Sequence, residues 1–421
     1  MSVSIDLDDP NAIHTNYGLI SGRVNLFVKT TVKLFTVHVK LEGESLSQLA
    51  RYSNPVTGGP ATETHKILYQ CQRLFPESCP GILSTLSSTL RAGRHEFNFN
   101  FQIPLDTDCH DPQQKLPDMG SGNFGLANIR KSGQYNHVKQ ILPPSLTSLP
   151  GLAEISYYVK VTVRYSSIFR DSLRSVTYFR FSPLTPASIM WSRNCFKTTR
   201  IPFKFQEKIP LKSNKWKNDG QNITNLTPMG ELFIHSPQPA HVICSKKVPL
   251  VLMLRKLNKC SKHLLLVSFT MHLISRVKVK VDGEVRTDSS TWVVANLNGL
   301  SIEIGSANDD EGTECILNQA LWSRFPIPDS IGPSFQTCNI SRSYELDIRV
   351  GLGFRTIKNE PQIITLPLRL PVEIFSGITS SSLTRDCIGS LANNFVEPQS
   401  LATLDNDGPP PSYEKAVAMP Q

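Results

Sequence analysis

The chain has 421 residues, with 44 Lys and Arg against 35 Asp and Glu, a formal net charge of +9. At roughly 100–200 residues per domain this length predicts two domains. A hydrophobic content of 39% supplies a core and excludes a chain disordered throughout. The 24 Gly and 30 Pro predict many turns and few long helices, and the positive balance favours anionic partners.

The opening residues, Met1-Ser2-Val3-Ser4-Ile5-Asp6, carry no basic region followed by an apolar stretch, so no secretory signal is expected. Ser2 stands where myristoylation needs glycine, and the last cysteine, Cys387, is too far from the end for prenylation. Phe35, Val37, Val39 and Leu41 alternate with Thr36, His38, Lys40 and Glu42. Successive strand side chains point to opposite faces, so this period of two predicts a strand with one dry face. Leu83, Leu86 and Leu90 recur at spacings of three and four before Gly93, which predicts a short helix over residues 82–91.

Phe97, Phe99, Phe101 and Ile103 form the next alternating stripe. Residues 107–140, with Gly120, Gly122, Gly125 and Gly133, read as a long loop. Ile155, Tyr157, Val159, Val161, Val163 and Tyr165 resume the alternation. From Pro183 to Pro228 periodicity is lost among Lys197, Arg200, Lys204, Lys208, Lys212, Lys215 and Lys217. This stretch reads as a connection with room for a strand.

The second half repeats the pattern. Val267, Phe269, Met271 and Leu273 form one stripe, then Val277, Val279 and Val281, then Tyr344, Leu346, Ile348, Val350, Leu352 and Phe354. Leu366, Leu368, Leu370, Val372 and Ile374 form a last strand with Pro367 and Pro371 on the other parity. Proline lacks the ladder N–H, so an edge position is expected. Half-wet strands belong to antiparallel sheets packed on one face, and pairs of such sheets make sandwiches. The fold class is therefore all-β, with two tandem β-sandwiches and one short helix in the first. The expected organisation is residues 1–185 for the first sandwich, 186–228 for the basic connection, 229–376 for the second sandwich and 377–421 for a disordered tail. The longest apolar stretch, residues 264–274, is too short to span a membrane as a helix.

The sharpest local signal is Pro409-Pro410-Pro411-Ser412-Tyr413 in that tail. Three prolines pre-set a polyproline II helix, the form that WW domains bind in an aromatic-lined groove. Pro410 and Pro411 would pack into the groove and Tyr413 into a second pocket. The chain's own Pro and Tyr frequencies give roughly 0.05 chance matches to this pattern. A bland Pro-rich end is the plain alternative.

Arg276, Lys278 and Lys280 share one strand parity, with Arg255, Lys256, Lys259 and Lys262 nearby. A solvated sheet face explains this row more simply, and contact with anionic lipid or acidic tails is the functional alternative. No RNA-binding signature, helix-turn-helix or zinc pattern appears, so no nucleic-acid partner is expected. Gly120-Ser121-Gly122-Asn123-Phe124-Gly125 matches GxGxxG in letters, but its flanks are polar loop rather than strand and helix. The nine cysteines are odd in number, scattered and without CxxC spacing. They read as reduced thiols, neither disulfide staples nor zinc ligands. His235 and His241 read as ordinary loop residues, and Cys109-His110 lacks any surrounding signature. The sequons at Asn222, Asn225 and Asn339 read as chance matches. No catalytic residue, metal or cofactor is expected.

Tyr17-Gly18-Leu19-Ile20-Ser21-Gly22-Arg23-Val24, followed by Val37-His38-Val39-Lys40-Leu41-Glu42-Gly43, resembles the first strands of an arrestin N-domain. Leu90-Arg91-Ala92-Gly93-Arg94-His95-Glu96-Phe97-Asn98-Phe99 with Ile103-Pro104 resembles the family's next phrase, which there follows a short helix. Leu142-Pro143-Pro144-Ser145 before Ile155 is a third landmark, and the strand ending at Phe375 is similar to the closing strand of an arrestin C-domain. With the tail PPxY, the chain is most similar to the α-arrestins, above all the fungal arrestin-related trafficking adaptors. The resemblance implies a cytoplasmic, non-catalytic adaptor, recruited to plasma membrane or endosomes. Its partners would be a WW-domain HECT-type ubiquitin ligase, bound through Pro410, Pro411 and Tyr413, and the cytosolic tails of membrane transporters or receptors. Ubiquitination of the cargo would lead to endocytosis and degradation, with self-ubiquitination and peripheral contact with anionic membrane as further expectations. A structural sorting-coat subunit of arrestin fold, working without a ligase, is the alternative, and an enzyme using Cys109 is a distant third.

Overall fold

The computed structural model describes residues 1–50, 59–76, 88–107, 109, 139–149, 151–166, 171–186, 196–206, 227–237, 240–260, 262–306, 308–354 and 362–379. Residues 1–379 form one compact unit.

The first half holds β1 (Ser2–Leu7), β2 (Ile13–His14), β3 (Leu19–Val28), β4 (Val32–Leu49), β5 (Ala61–Phe75), β6 (Ser88–Leu90), β7 (Gly93–Gln102), β8 (Leu146–Leu149), β9 (Ala153–Tyr165) and β10 (Leu173–Phe181). A three-stranded sheet, β1-β3-β7, faces a seven-stranded sheet in the order β2-β10-β9-β4-β5, with β6 added to β4 and β8 to β9. The alternating residues fill the space between them. Val37, Val39, Leu41, Ile155, Val159, Val161, Val163 and Ile103 are completely buried. A register shift between Leu34 and Thr36 interrupts the β4 alternation, so Leu34 enters the core and Thr36 is buried beside it. Such a bulge reverses strand parity locally.

The second half holds β11 (Phe196–Lys204), β12 (Met229–Pro237), β13 (His241–Ile243), β14 (Val251–Lys256), β15 (Leu264–Val281), β16 (Glu284–Gly305), β17 (Glu314–Ile316), α1 (Ala320–Ser323), β18 (Phe335–Gln336), β19 (Ile340–Phe354) and β20 (Gln362–Phe375). One sheet runs β11-β12-β14-β17 and the other β13-β20-β19-β15-β16, with β18 on β19. Leu346, Ile348, Val350 and Leu352 of β19 are completely buried against Phe269, Met271 and Leu273 of β15. The two halves share a plan: the last strand of each pairs in parallel with a two- or three-residue strand, β10 with β2 and β20 with β13.

The helix expectation needs adjustment, while the connection and the last strand can be placed more closely. Ser88–Leu90, the end of the expected helix, is extended and pairs with Val32–Leu34 of β4; the earlier part of that helix lies outside the described residues. The one helix among the described residues is α1, in the second half. The expected connection contains β11, whose nine residues pair with β12. The edge position of β20 holds for most of its length, since among the described residues β13 covers only Glu373 to Phe375.

Candidate functional site: the junction of the sandwiches

The second sandwich meets the first through the end of β15 and the tight turn between β18 and β19. Val277, Val279 and Val281, together with Ile340, belong to the same apolar cluster as the first sandwich's core. The valine stripe is therefore buried as expected, but by the other sandwich. The turn is held by Thr337 N–H donating to the Ile340 carbonyl at 2.7 Å and by Ile340 N–H donating to Thr337 Oγ1 at 2.9 Å.

Asn339, only 2% exposed, projects from that turn between β4 and β5. Its Nδ2 donates to the Ser45 carbonyl at 3.1 Å, to Ser47 Oγ at 3.0 Å and to the Glu63 carbonyl at 3.3 Å. Its Oδ1 accepts from Ser45 Oγ at 2.7 Å and from Thr337 Oγ1 at 3.1 Å. Ser47 Oγ donates to the Lys280 carbonyl at 2.8 Å, and the Asp282 N–H donates to Glu63 Oε2 at 3.0 Å. A buried polar group is costly unless hydrogen-bonded, so this seam fixes one register between the sandwiches. The sequon reading of Asn339 concealed this role.

Beside the seam lie His65 on β5, Cys109 beyond β7 and Cys338 in the turn. Their ligand atoms all lie within 4.8 Å of one another. Cys109 Sγ is 3.5 Å from His65 Nδ1 and 3.7 Å from Cys338 Sγ, and His65 Nε2 is 2.7 Å from Glu63 Oε1. Burial lowers the His65 pKa, but its contacts with Cys338 and Glu63 outweigh that and raise it overall. Cys109 thus faces His65 in space; its sequence neighbour His110 lies outside the described residues.

Residues of both sandwiches also line a groove of about 1020 Å³. Leu142 and Leu184 of the first half, and Phe335, Tyr344, Val372 and Phe375 of the second, supply apolar walls. Arg342, Arg369 and Lys197 line it with Asp106 and Glu373. Its floor is tied by Ser376 Oγ donating to the Pro183 carbonyl at 2.6 Å, Thr185 N–H donating to the Ile378 carbonyl at 2.8 Å and Gly377 N–H donating to Thr185 Oγ1 at 2.9 Å. The paired body therefore continues to Ile378.

The expected basic row lies on the outer face of the β15–β19–β20 sheet. Arg276 pairs with Glu345, which also lies 3.8 Å from Arg369. Lys278 is exposed and opposite Thr287 and Ser341, while Lys280 is half-buried where the sheet enters the junction. The neighbouring cations are engaged locally. Arg255 pairs with Glu314, and Lys259 with Asp310 at 2.8 Å. Lys256 Nζ donates to the Ser306 and Asp309 carbonyls, both at 2.9 Å, and Lys262 sits 4.6 Å from the centre of the Phe354 ring. His235 is bonded to Thr198 Oγ1 at 2.9 Å. Pro410, Pro411, Tyr413 and the GxGxxG segment lie outside the described residues.

Residues 3–110 match the family model described as Arrestin (or S-antigen), N-terminal domain. Over this span, about a quarter of its length, the chain is similar to an arrestin N-terminal domain. The matched span runs from β1 through β7 to Cys109, and the paired sheets around it make an arrestin-type all-β fold. An arrestin domain points in general to an adaptor or trafficking role. No curated protein matches the chain. Among the described residues, no helix is long and apolar enough to cross a membrane.

Proposed function

We propose that this protein is a non-catalytic adaptor that brings a WW-domain HECT-type ubiquitin ligase to the cytosolic tails of membrane transporters or receptors. The observation that carries the reading is Pro409-Pro410-Pro411-Ser412-Tyr413 in a chain whose residues 3–110 match the arrestin N-terminal domain. The prolines and Tyr413 engage the ligase, and the arrestin body engages the cargo. The groove beside the junction has the mixed character that a peptide tail needs: apolar walls for side chains and the Arg342 and Arg369 cations for acidic residues. Bringing ligase and cargo together raises the effective concentration of one for the other without new contacts. Ubiquitinated cargo is then internalised and degraded, and the adaptor is itself a ubiquitin acceptor. The protein works in the cytoplasm and at the plasma membrane or endosomes. Of the basic row, Lys278 is the exposed cation and supplies a peripheral contact with anionic headgroups, on the order of 1 kcal/mol.

Cargo ubiquitination and proximity labelling in cells carrying Tyr413→Ala test this reading. Ligase and ubiquitinated cargo should both disappear from the labelled set while the protein stays folded. Unchanged cargo ubiquitination would favour the sorting-coat alternative. A truncation after Thr379 makes the same distinction and keeps the Ser376, Gly377 and Ile378 contacts intact.

A further inference from the structure

The His65, Cys109 and Cys338 cluster has the dimensions of a tetrahedral metal site. With zinc–sulfur bonds of about 2.3 Å and a zinc–nitrogen bond of about 2.0–2.1 Å, tetrahedral ligands place two sulfurs about 3.8 Å apart and a sulfur about 3.6 Å from the nitrogen. The corresponding separations are 3.7 Å for Cys109 Sγ to Cys338 Sγ and 3.5 Å for Cys109 Sγ to His65 Nδ1. A disulfide would need about 2.0 Å between the sulfurs.

The surroundings fit as well. Glu63 Oε1 holds His65 Nε2 at 2.7 Å, which leaves Nδ1 directed at the thiols. A carboxylate on the far nitrogen is the usual partner of a metal-bound histidine, because it fixes the tautomer and raises ligand basicity. His65 is only 5% exposed and Cys109 and Cys338 are half-buried, which places the ligand set within the junction. Two soft thiolates and one imidazole select zinc over magnesium or calcium.

We propose that His65, Cys109 and Cys338 bind one zinc ion that clasps the two sandwiches together, with water in the fourth position. Binding releases the two thiol protons to solvent, and the two thiolates balance the dication. The clasp joins two positions 229 residues apart in sequence. A cross-link closing so long a loop restricts the unfolded chain strongly. The groove, lined from both sandwiches, is then presented at a fixed setting.

The test uses the purified full-length chain, stripped with a chelator and titrated with cobalt(II). One equivalent should bind, with a thiolate-to-cobalt charge-transfer band and the visible bands of tetrahedral geometry. Zinc should displace it. Cys109→Ser and Cys338→Ser should remove the charge-transfer band or halve it, whereas Cys71→Ser, at an exposed thiol, should leave it unchanged. Glu63→Gln should weaken zinc binding ten- to a hundredfold. The cobalt titration of the unsubstituted chain decides the matter even if a variant fails to fold. No thiolate band in that titration would overturn the proposal. So would an unaltered band in Cys338→Ser, or a Cys109–Cys338 disulfide in metal-free protein prepared under reducing conditions.

Discussion

Replacing Asn339 with Ala removes a side chain that makes five hydrogen bonds across or within the seam. At roughly 1 kcal/mol net for each bond, five would set an upper bound of about 5 kcal/mol. Several partners retain another contact. Ser47 Oγ still reaches the Lys280 carbonyl at 2.8 Å and the Glu63 carbonyl at 3.2 Å, and Thr337 Oγ1 still reaches the Ile340 carbonyl at 2.9 Å. Ser45 Oγ keeps Thr337 Oγ1 at 3.2 Å, whereas the Ser45 carbonyl loses its Asn339 contact in a buried setting. The expected loss is therefore about 2–4 kcal/mol. Urea unfolding should show it as a lower midpoint, or as one transition splitting into two once the sandwiches no longer support each other. Hydrogen exchange should rise in the turn and in the parts of β4 and β5 it touches. A loss under about 1 kcal/mol with unchanged exchange would refute the claim that this seam joins the sandwiches.

Other outcomes follow from single sites. A Cβ on Gly43 would lie 2.7 Å from the Tyr157 ring, itself fixed by its hydroxyl donating to the Pro143 carbonyl at 2.6 Å. Gly43→Ala should therefore destabilise the first sandwich by about 1–3 kcal/mol in thermal unfolding; an unchanged Tm would show that the ring can move. Burial, reinforced by the nearby Asp329, pushes the Cys244 thiol up to about 11. Between pH 9 and 11 the unfolded thiol loses its proton while the folded one keeps it, so stability falls as pH rises through this window. Denaturant midpoints measured across that range should fall less in Cys244→Ala, and identical pH profiles would contradict the assignment.

The stripe from Ile155 to Val163 is legible because its buried residues face away from Ser156, Lys160 and Thr162; that from Tyr344 to Phe354 is legible by its apolar parity, although Asp347, Gly351 and Gly353 on the other parity are buried too. Bulges break that reading. At Leu34/Thr36 and again at Leu266/Ser268 the register shifts, so Leu34 and Leu266 are completely buried and Val267 is only half-buried. Alternation also cannot name what covers a dry face: Val277, Val279 and Val281 read as core of the second sandwich and pack with the first. The leucine spacing before Gly93 suggested a helix, but at Ser88–Leu90 pairing with β4 prevails over that local pattern. The junction was the least legible part. His65, Cys109 and Cys338 share no spacing rule, and Asn339 is one polar residue between two strands. Only the fold brings them together. The tail motif is the opposite case, because a polyproline ligand is recognised as a linear segment and its residues carry the information alone.

In the proposed mechanism Pro410, Pro411 and Tyr413 recruit the ligase. This recruitment is tested most directly by the affinity of the full-length chain for an isolated WW domain of a HECT-type ligase, with and without Tyr413→Ala. Saturable binding is expected, falling at least tenfold in the variant while thermal unfolding of the body is unchanged. Equal affinity for both chains, or no binding by either, would contradict it.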